Sequence, residues 1–442
     1  MRNHFFSMLF LLLGLSFIAL EVEARQQKHF TIMGIGDSIT EGGDAFESYI
    51  CPLWELLYGA GYDFDMIGPR RSYTRIGWIN HYGNSGKNAE WVADGVEKIY
   101  PEYPADIVLI HSGHNHFMEE KPVDGIINAY RKMLAAIRSV NPDAYVLLAK
   151  VIPSGKLPKY KYIDKLNKRI GQFVKEQNDS RLICVDQSAG FDWRQNTIAD
   201  KVHPNRQGAK RMAETWYEAL KKILGEAPNT YNIYKTAYRK LSETDSLSLH
   251  VFRQKADIPR PAILYFFAGG WKHGSPLQFY RECDYYSKKG MVAITADYRT
   301  TKSHGTAVDD GFGDAQAALD YVRSHAIELG IDTTRIVVAG ASAGGAMAGS
   351  VKGANYRVLY YPVVDSIRTA GGDVPTLMLM GSEDPYSDCG KAFSFCRNHH
   401  FDFMLVEGGR HPLFSYRQQP GKMFVRVKEL TDNFLRYHGI LR

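Results

Sequence analysis

Short apolar runs alternate along the chain with amphipathic stretches at helical spacing. In the first part the runs fall at 30–33, 107–110, 145–149 and 182–185, with helical stretches near 89–100, 123–140, 159–177 and 207–224. Strand followed by helix, repeated, predicts a parallel sheet with helices on its faces. A polar breaker at 225–230 (GEAPNT) interrupts the pattern. The alternation then restarts, with strands predicted at 246–252, 262–267, 292–295, 335–339, 358–360, 376–380 and 402–406 and helices near 313–328, 343–351 and 391–399. No repeat links the two parts. The fold class expected is therefore α/β, as two different domains over 25–226 and 231–442.

The first residues follow neither pattern. Arg2 precedes an uncharged, mostly apolar run over 5–20, and Val22 and Ala24 stand where a signal peptidase wants small residues, before Arg25. The run is short for a membrane span of ~20 residues. We expect a signal peptide over 1–24, a secreted or periplasmic protein, and no membrane association after cleavage.

Composition narrows the rest. The 442 residues are 45% hydrophobic and 23% charged, an ordinary globular balance that excludes a disordered chain or a polytopic membrane protein. The net charge of +6 comes without a basic run interleaved with aromatics, so no nucleic-acid partner is expected. The five cysteines, Cys51, Cys184, Cys283, Cys389 and Cys396, show no metal-binding spacing. Cys389 and Cys396 could pair in an oxidising compartment; buried free thiols are the favoured reading. Oligomeric state is not legible.

Candidate chemistry appears at the ends of predicted strands. The first strand runs into Gly34-Ile35-Gly36-Asp37-Ser38-Ile39-Thr40. A serine in a Gly-rich turn after a strand sits where α/β sheets carry reactive groups, and it needs a base. Asp200-Lys201-Val202-His203-Pro204 offers one, with a carboxylate spaced to orient the imidazole from a local turn. Between them come His81-Tyr82-Gly83-Asn84-Ser85-Gly86 and His111-Ser112-Gly113-His114-Asn115-His116.

These blocks, in this order, resemble the SGNH (GDSL-type) hydrolases over roughly 28–224. The resemblance implies a flavodoxin-like α/β/α sandwich. It implies Ser38 as nucleophile, His203 as base and Asp200 as its partner. Oxyanion donors would be the Ser38 and Gly86 backbones and the Asn115 side chain. The histidines around Asn115 depart from the usual pattern; we expect them to act near the site rather than bind metal.

The second part contains Gly340-Ala341-Ser342-Ala343-Gly344-Gly345, a G-x-S-x-G between a predicted strand and a small-residue helix. That is the setting of a nucleophile elbow, with the Ala343 N–H as one oxyanion donor. Upstream, Phe267-Ala268-Gly269-Gly270-Trp271 follows a strong strand, so Gly269 and Gly270 can supply further N–H groups. The acid and base should follow in the order Ser, Asp, His. Asp384 in Gly381-Ser382-Glu383-Asp384 and His411 in Gly409-Arg410-His411-Pro412 both come after strands. Asp365, Glu383 and the His399–His400 pair are rivals.

This part resembles α/β-hydrolase carbohydrate esterases of the acetyl- and feruloyl-esterase-like group, with little or no cap. An open site for small acyl groups on a bulky alcohol would follow. Both resemblances imply acyl transfer to water without metal or organic cofactor, on an acylated polysaccharide or oligosaccharide. The alternatives are one active domain beside a carbohydrate-binding module and, less favoured, a lipid or thioester hydrolase. Trp78, Trp91, Trp193 and Trp271 lie near the motifs; core packing is preferred to sugar stacking for each.

Overall fold

The chain forms two doubly wound α/β layers, each built on a mostly parallel sheet. The computed structural model describes residues 28–228, 231–243, 245–368, 374–411 and 422–441. The expected leader over 1–24 lies outside the described residues.

The first layer runs β1 (Phe30–Gly36), α1 (Ser38–Glu41), α2 (Ile50–Gly59), β2 (Phe64–Met66), β3 (Arg70–Thr74), β4 (Gly77–Gly83), α3 (Ala89–Ile99) and β5 (Ile107–His111). It continues through α4 (Val123–Val140), β6 (Tyr145–Lys150), α5 (Ile163–Gln177), β7 (Leu182–Asp186), α6 (Trp193–Asn196) and α7 (Arg206–Leu224). Its sheet order is β3-β4-β1-β5-β6-β7, with β2 paired to the edge of β1. Strands β1, β5, β6 and β7 are parallel, whereas β3 and β4 form an antiparallel hairpin.

Side-chain alternation along these strands makes two cores. Met33, Val108 and Val146 face α3, α4 and α5, with Val92, Ile126 and Phe173. Ile32, Leu109 and Leu147 face α2 and α7, with Leu53, Leu57 and Trp216. Burial on both faces explains why the strands read as continuous apolar runs. The hairpin does not, because Arg70, Arg71 and alternate residues of β4 face outward.

The second layer begins with β8 (Ile233–Lys240), β9 (Ser246–Phe252) and β10 (Arg260–Phe266), followed by α8 (Tyr280–Lys288), β11 (Val292–Ala296), α9 (Thr301–His304), α10 (Val308–Ser324) and α11 (Ala326–Leu329). Then come β12 (Ile331–Ala341), α12 (Ala343–Ser350), β13 (Tyr356–Tyr360), β14 (Thr376–Gly381), α13 (Cys389–His399), β15 (Asp402–Val406) and α14 (Lys422–Tyr437). The 8-stranded sheet has the order β15-β14-β13-β12-β10-β11-β9-β8. β8 and β9 are antiparallel additions at one edge. Only the stretch 361–375 joins β13 to β14, so no cap domain is inserted there. α14 is an element the apolar runs did not point to, although Val427, Phe434 and Leu435 recur at helical spacing and are buried.

The two layers pack against each other. The turn of the β3–β4 hairpin meets the segment after β10, where the Gly274 N–H donates to the Arg75 carbonyl at 2.7 Å. The Tyr73 and His273 rings meet edge to face at 5.4 Å. The Lys302 ammonium reaches Asp44 at 2.8 Å. All five cysteines are free thiols, and Cys396 packs its sulfur on Met378 rather than on Cys389. Among the described residues no helix is long and apolar enough to cross a membrane.

Candidate active sites

In an open α/β sheet, loops at the carboxyl ends of adjacent strands converge where the strand order reverses. In the first layer that point is β1, flanked by β4 and β5. Ser38 follows β1, Gly86 follows β4 and Asn115 follows β5. Ser38 opens α1, with Asp37 as an extended N-cap whose carboxylate accepts the Ile39 N–H at 3.0 Å. The Ser38 hydroxyl lies 2.8 Å from His203 Nε2. His203 Nδ1 lies 2.5 Å from Asp200 Oδ2.

The local Asp-x-x-His turn does two jobs. Asp200 Oδ1 accepts the Val202 and His203 N–H groups at 2.9 and 3.0 Å, while Oδ2 holds the ring. Partial burial pushes the Asp200 carboxyl up, but the His203 ring and these amides outweigh it and hold it below its ordinary range. Phe46 stacks on the His203 ring at 4.1 Å and 25°. Nothing in the sequence around Phe46 marks it for that place.

The predicted oxyanion donors are tied together. The Asn115 amide, on a residue at φ +65°, donates to the Lys87 carbonyl at 3.0 Å, next to Gly86 at φ +73°. From the other side Glu41 accepts the Ser85 N–H at 2.6 Å and the Arg70 guanidinium at 2.5 Å. Glu41 therefore positions the Gly86 loop, a role the sequence reading did not assign. The His81 ring accepts the Gly83 N–H at 2.8 Å, and burial pushes its pKa down to about 4.

The histidines of the Asn115 block lie behind the site. His111 Nε2 accepts the Ile152 N–H at 3.3 Å, and burial pushes its pKa down to about 4. His114 is buried beside Asp37, with Nδ1 at 3.9 Å from the carboxylate. His116 sits between Glu90 at 3.0 Å and Glu120 at 3.1 Å. Burial lowers its pKa, but the two carboxylates outweigh that and raise it. Asp37 has no exposed surface, and that burial raises its pKa to about 6.

In the second layer Ser342 stands between β12 and α12 at φ +51° and ψ −115°. An L-residue held there is strained by about 1–3 kcal/mol. The flanking glycines make the turn feasible: a Cβ on Gly340 would lie 2.2 Å from the Gly344 carbonyl, and one on Gly344 2.1 Å from the Phe266 carbonyl. Ser342 N–H donates to the Tyr360 carbonyl at 3.0 Å, which fixes the elbow against β13. The Ala343 N–H opens α12 beside it.

After β10, Gly269 and Gly270 adopt φ +134° and +60°. The Ala268 N–H is committed to Gln278 at 2.6 Å. His411 Nδ1 and Asp384 Oδ2 are 2.8 Å apart, and Asp384 also accepts the Tyr386 N–H at 2.9 Å. The Tyr361 ring meets His411 edge to face at 4.4 Å. The rivals are otherwise engaged: Asp365 with Lys391 at 2.5 Å and Glu383 with Arg410 at 3.1 Å. His399 packs on Phe395.

Gly269, Gly270, Ser342 and His411 line one cavity of about 1960 Å³. Ile76, Gly77, Trp78 and Ile79 of the first layer line it too. Among the described residues no cap of its own domain covers the second site, and the neighbouring domain walls it. The tryptophans divide. Trp271 is buried, but Trp78 is 59% and Trp91 43% exposed, so core packing is wrong for those two. The outward face of an edge hairpin accounts for Trp78, which pairs with Tyr73 across the strands.

Residues 35–211 match the family model of the GDSL-like Lipase/Acylhydrolase family, and residues 249–357 match that of BD-FAE. The chain carries a GDSL-like acylhydrolase domain followed by a BD-FAE domain. The BD-FAE match ends before Asp384 and His411, so those two rest on the geometry above. A multidomain esterase of Ruminococcus flavefaciens is 26% identical over 227 residues, covering 44% of this chain and 28% of that protein. The carboxylesterase NlhH of Mycobacterium tuberculosis is 39% identical over 87 residues, covering 19% of this chain and 26% of its own. The chain thus spans about a quarter of the length of these curated relatives. Esterase 2 of Thermogutta terrifontis, solved phosphonylated by cyclosarin, is similar at 28% identity and a TM-score of 0.45, over 48% of this chain and 97% of that one.

Proposed function

We propose that the protein is an exported carboxylic ester hydrolase with two independent Ser-His-Asp sites, removing O-acetyl or other small acyl groups from polysaccharides or oligosaccharides. The observation that carries this reading is the contact of Ser38 with His203, itself held by Asp200. The Asp384–His411 pair beside the strained Ser342 supports the same chemistry in the BD-FAE domain.

At each site the neutral imidazole takes the serine proton as the hydroxyl oxygen attacks the ester carbonyl. The carbonyl oxygen becomes an oxyanion, held at the first site by the Ser38 and Gly86 backbones and the Asn115 amide, and at the second by Ala343, Gly269 and Gly270 backbones. The imidazolium, stabilised by its aspartate, returns the proton to the departing sugar oxygen. Water then attacks the acyl-serine, assisted by the same imidazole, and releases the acid. The wide cavity at Ser342 supports a small acyl group on a large alcohol.

Acetate release from acetylated xylan and acetylated oligosaccharides tests the reading. Wild type, Ser38→Ala, Ser342→Ala and the double variant are compared. Each single variant should retain part of the release, with different substrate preferences, and the double variant none. If one single substitution abolishes release from every substrate, the protein has one active site.

A further inference from the structure

The cavity at Ser342 belongs to both domains, and its far wall carries aromatic side chains that the acyl-transfer chemistry does not use. From the geometry of that wall we infer that the β3–β4 hairpin of the GDSL-like domain forms a sugar-binding subsite for the BD-FAE site, with Trp78 as its platform. This deepens the proposed function and rests on it: the ligand is the oligosaccharide part of the ester, lying between the domains.

Size is the first argument. Pockets for drug-sized ligands span ~300–1,000 Å³, and this cavity holds about 1960 Å³. A small acyl group at Ser342 would leave most of it vacant, whereas a chain of several sugars would fill it.

The wall is the second argument. Trp78 lies in the cavity lining, on the outward face of an edge hairpin, with more than half its surface exposed. An indole left exposed beside a reactive serine forgoes apolar burial that the ordinary core would supply. Its flat face suits the C–H face of a pyranose ring, while the rim of the ring can accept polar neighbours. The orientation is held before any ligand arrives. Tyr73 packs against Trp78 at 5.0 Å, and the Arg71 guanidinium lies 4.7 Å from its ring centre. Trp54 and Tyr58, which also line the cavity, stack at 4.7 Å and 11°.

Placement is the third argument. The hairpin turn also braces the loop that carries the predicted oxyanion donors, because the Arg75 carbonyl accepts the Gly274 N–H at 2.7 Å. A Cβ on Gly77 would lie 3.7 Å from the His273 ring. The platform is therefore fixed relative to Gly269 and Gly270, as a subsite must be if it is to register a sugar chain against the serine.

The test uses the full chain with Ser38→Ala, so that only the second site acts. Kinetics on an acetylated oligosaccharide of several sugars are compared with those on an acetylated monosaccharide, for the parent, Trp78→Ala and Trp78→Phe. The expected result for Trp78→Ala is a KM for the oligosaccharide raised about tenfold with kcat within about twofold, so that its preference over the monosaccharide falls by the same factor. Trp78→Phe should recover most of it. An unchanged preference, or equal losses on both substrates, overturns the subsite. Calorimetric titration of full-length Ser342→Ala with the deacetylated oligosaccharide separates this inference from the functional reading. Binding weakened or lost at one site with Trp78→Ala supports the subsite even where the parent hydrolyses nothing, an outcome that sinks only the esterase reading of the second site. Binding whose affinity and stoichiometry are both unchanged by Trp78→Ala overturns the subsite even where hydrolysis is intact.

Discussion

At the first site Ser38 opens a short helix with an ordinary extended residue before it, and its base and acid lie three residues apart in one turn. At the second, Ser342 is held at φ +51°, and His411 meets Asp384 across 27 residues that include α13 and β15. The acid–base pair is held by local geometry at one site and by the register of a sheet at the other, while Ser38 reaches its base across 165 residues. The surroundings differ as well. His203 is covered by Phe46 from its own domain, whereas the cavity at His411 is completed by a neighbouring domain. The same chemical group can thus be positioned by a turn or by a fold, and the two constructions should fail differently when cut.

The largest expected effect comes from the acids. Asp200→Asn and Asp384→Asn leave the backbone contacts available through the amide oxygen but present N–H₂ to His Nδ1. The ring then turns to the tautomer that cannot accept the serine proton. Each should lower kcat of its own site by about 10³–10⁴-fold, measured with the other serine replaced by alanine. A drop at Asp384 alone would mean that the Val202–His203 turn orients His203 without its carboxylate, and the comparison would sharpen. Next come the glycines. Gly340→Ala places a methyl 2.2 Å from a backbone carbonyl and should destabilise the BD-FAE domain by more than about 3 kcal/mol, read as a fall in the urea midpoint. Gly86→Ala meets open space and only the strain of φ +73°, roughly 1–2 kcal/mol.

That contrast also explains what the sequence made legible. Ser38, Ser342, Asp384 and His411 all follow strands, His203 lies in a short loop between α6 and α7, and the glycines beside the two serines are set by sterics. Gly340 and Gly344 flank Ser342 because nothing larger fits, so the motif is written in the chain. The sheets were readable for a similar reason, since strands buried on both faces are continuous apolar runs. Phe46 and Glu41 were not, and Trp78 was singled out but assigned to core packing, against its 59% exposure. Phe46 and Glu41 act through contacts 157 and 44 residues away, and neither place demands a residue type that the neighbouring sequence reveals. Trp78 sits on a polar hairpin whose exposed face has no periodic signature distinct from a loop, and its role depends on a domain far along the chain. The motifs pointed to the loops where these side chains meet, but not to the contact between the domains.

Two buried carboxyls that the chemistry does not use, one in each domain, give a smaller effect with a definite sign. Burial raises Asp37, beside Ser38, from 3.8 to about 6, and Glu282, on α8, from 4.5 to about 7. A raised carboxyl binds its proton more tightly in the folded state than in the unfolded chain. Stability is therefore undiminished below the ordinary value and falls as pH rises to the folded value. The windows are pH ~4–6 for Asp37 and ~4.5–7 for Glu282, worth roughly 3 kcal/mol each at most. Asp37→Asn and Glu282→Gln should each remove that fall. Urea denaturation at pH 4 and pH 8 reads it directly: the variants gain on wild type at pH 8 and not at pH 4. A gain at both values would mean that packing, not ionisation, is what changed.

The smallest effect isolates the cover over the first base. Phe46 lies parallel to the His203 ring, and an aromatic stack of this kind is worth about 0.5–1.5 kcal/mol. Removing it leaves the His203–Asp200 hydrogen bond in place, so the base stays bound but its ring is free to tilt away from Ser38. Phe46→Ala should then slow the Ser38 site about two- to tenfold, chiefly in kcat, because the lost order concerns proton transfer more than substrate contact. Phe46→Tyr, which keeps the ring, should restore most of the rate. The same pair of variants leaves the Ser342 site as an internal reference. If Phe46→Ala instead raises KM with kcat unchanged, the ring is part of the substrate pocket, and the first site, like the second, is walled by aromatics it does not need for chemistry.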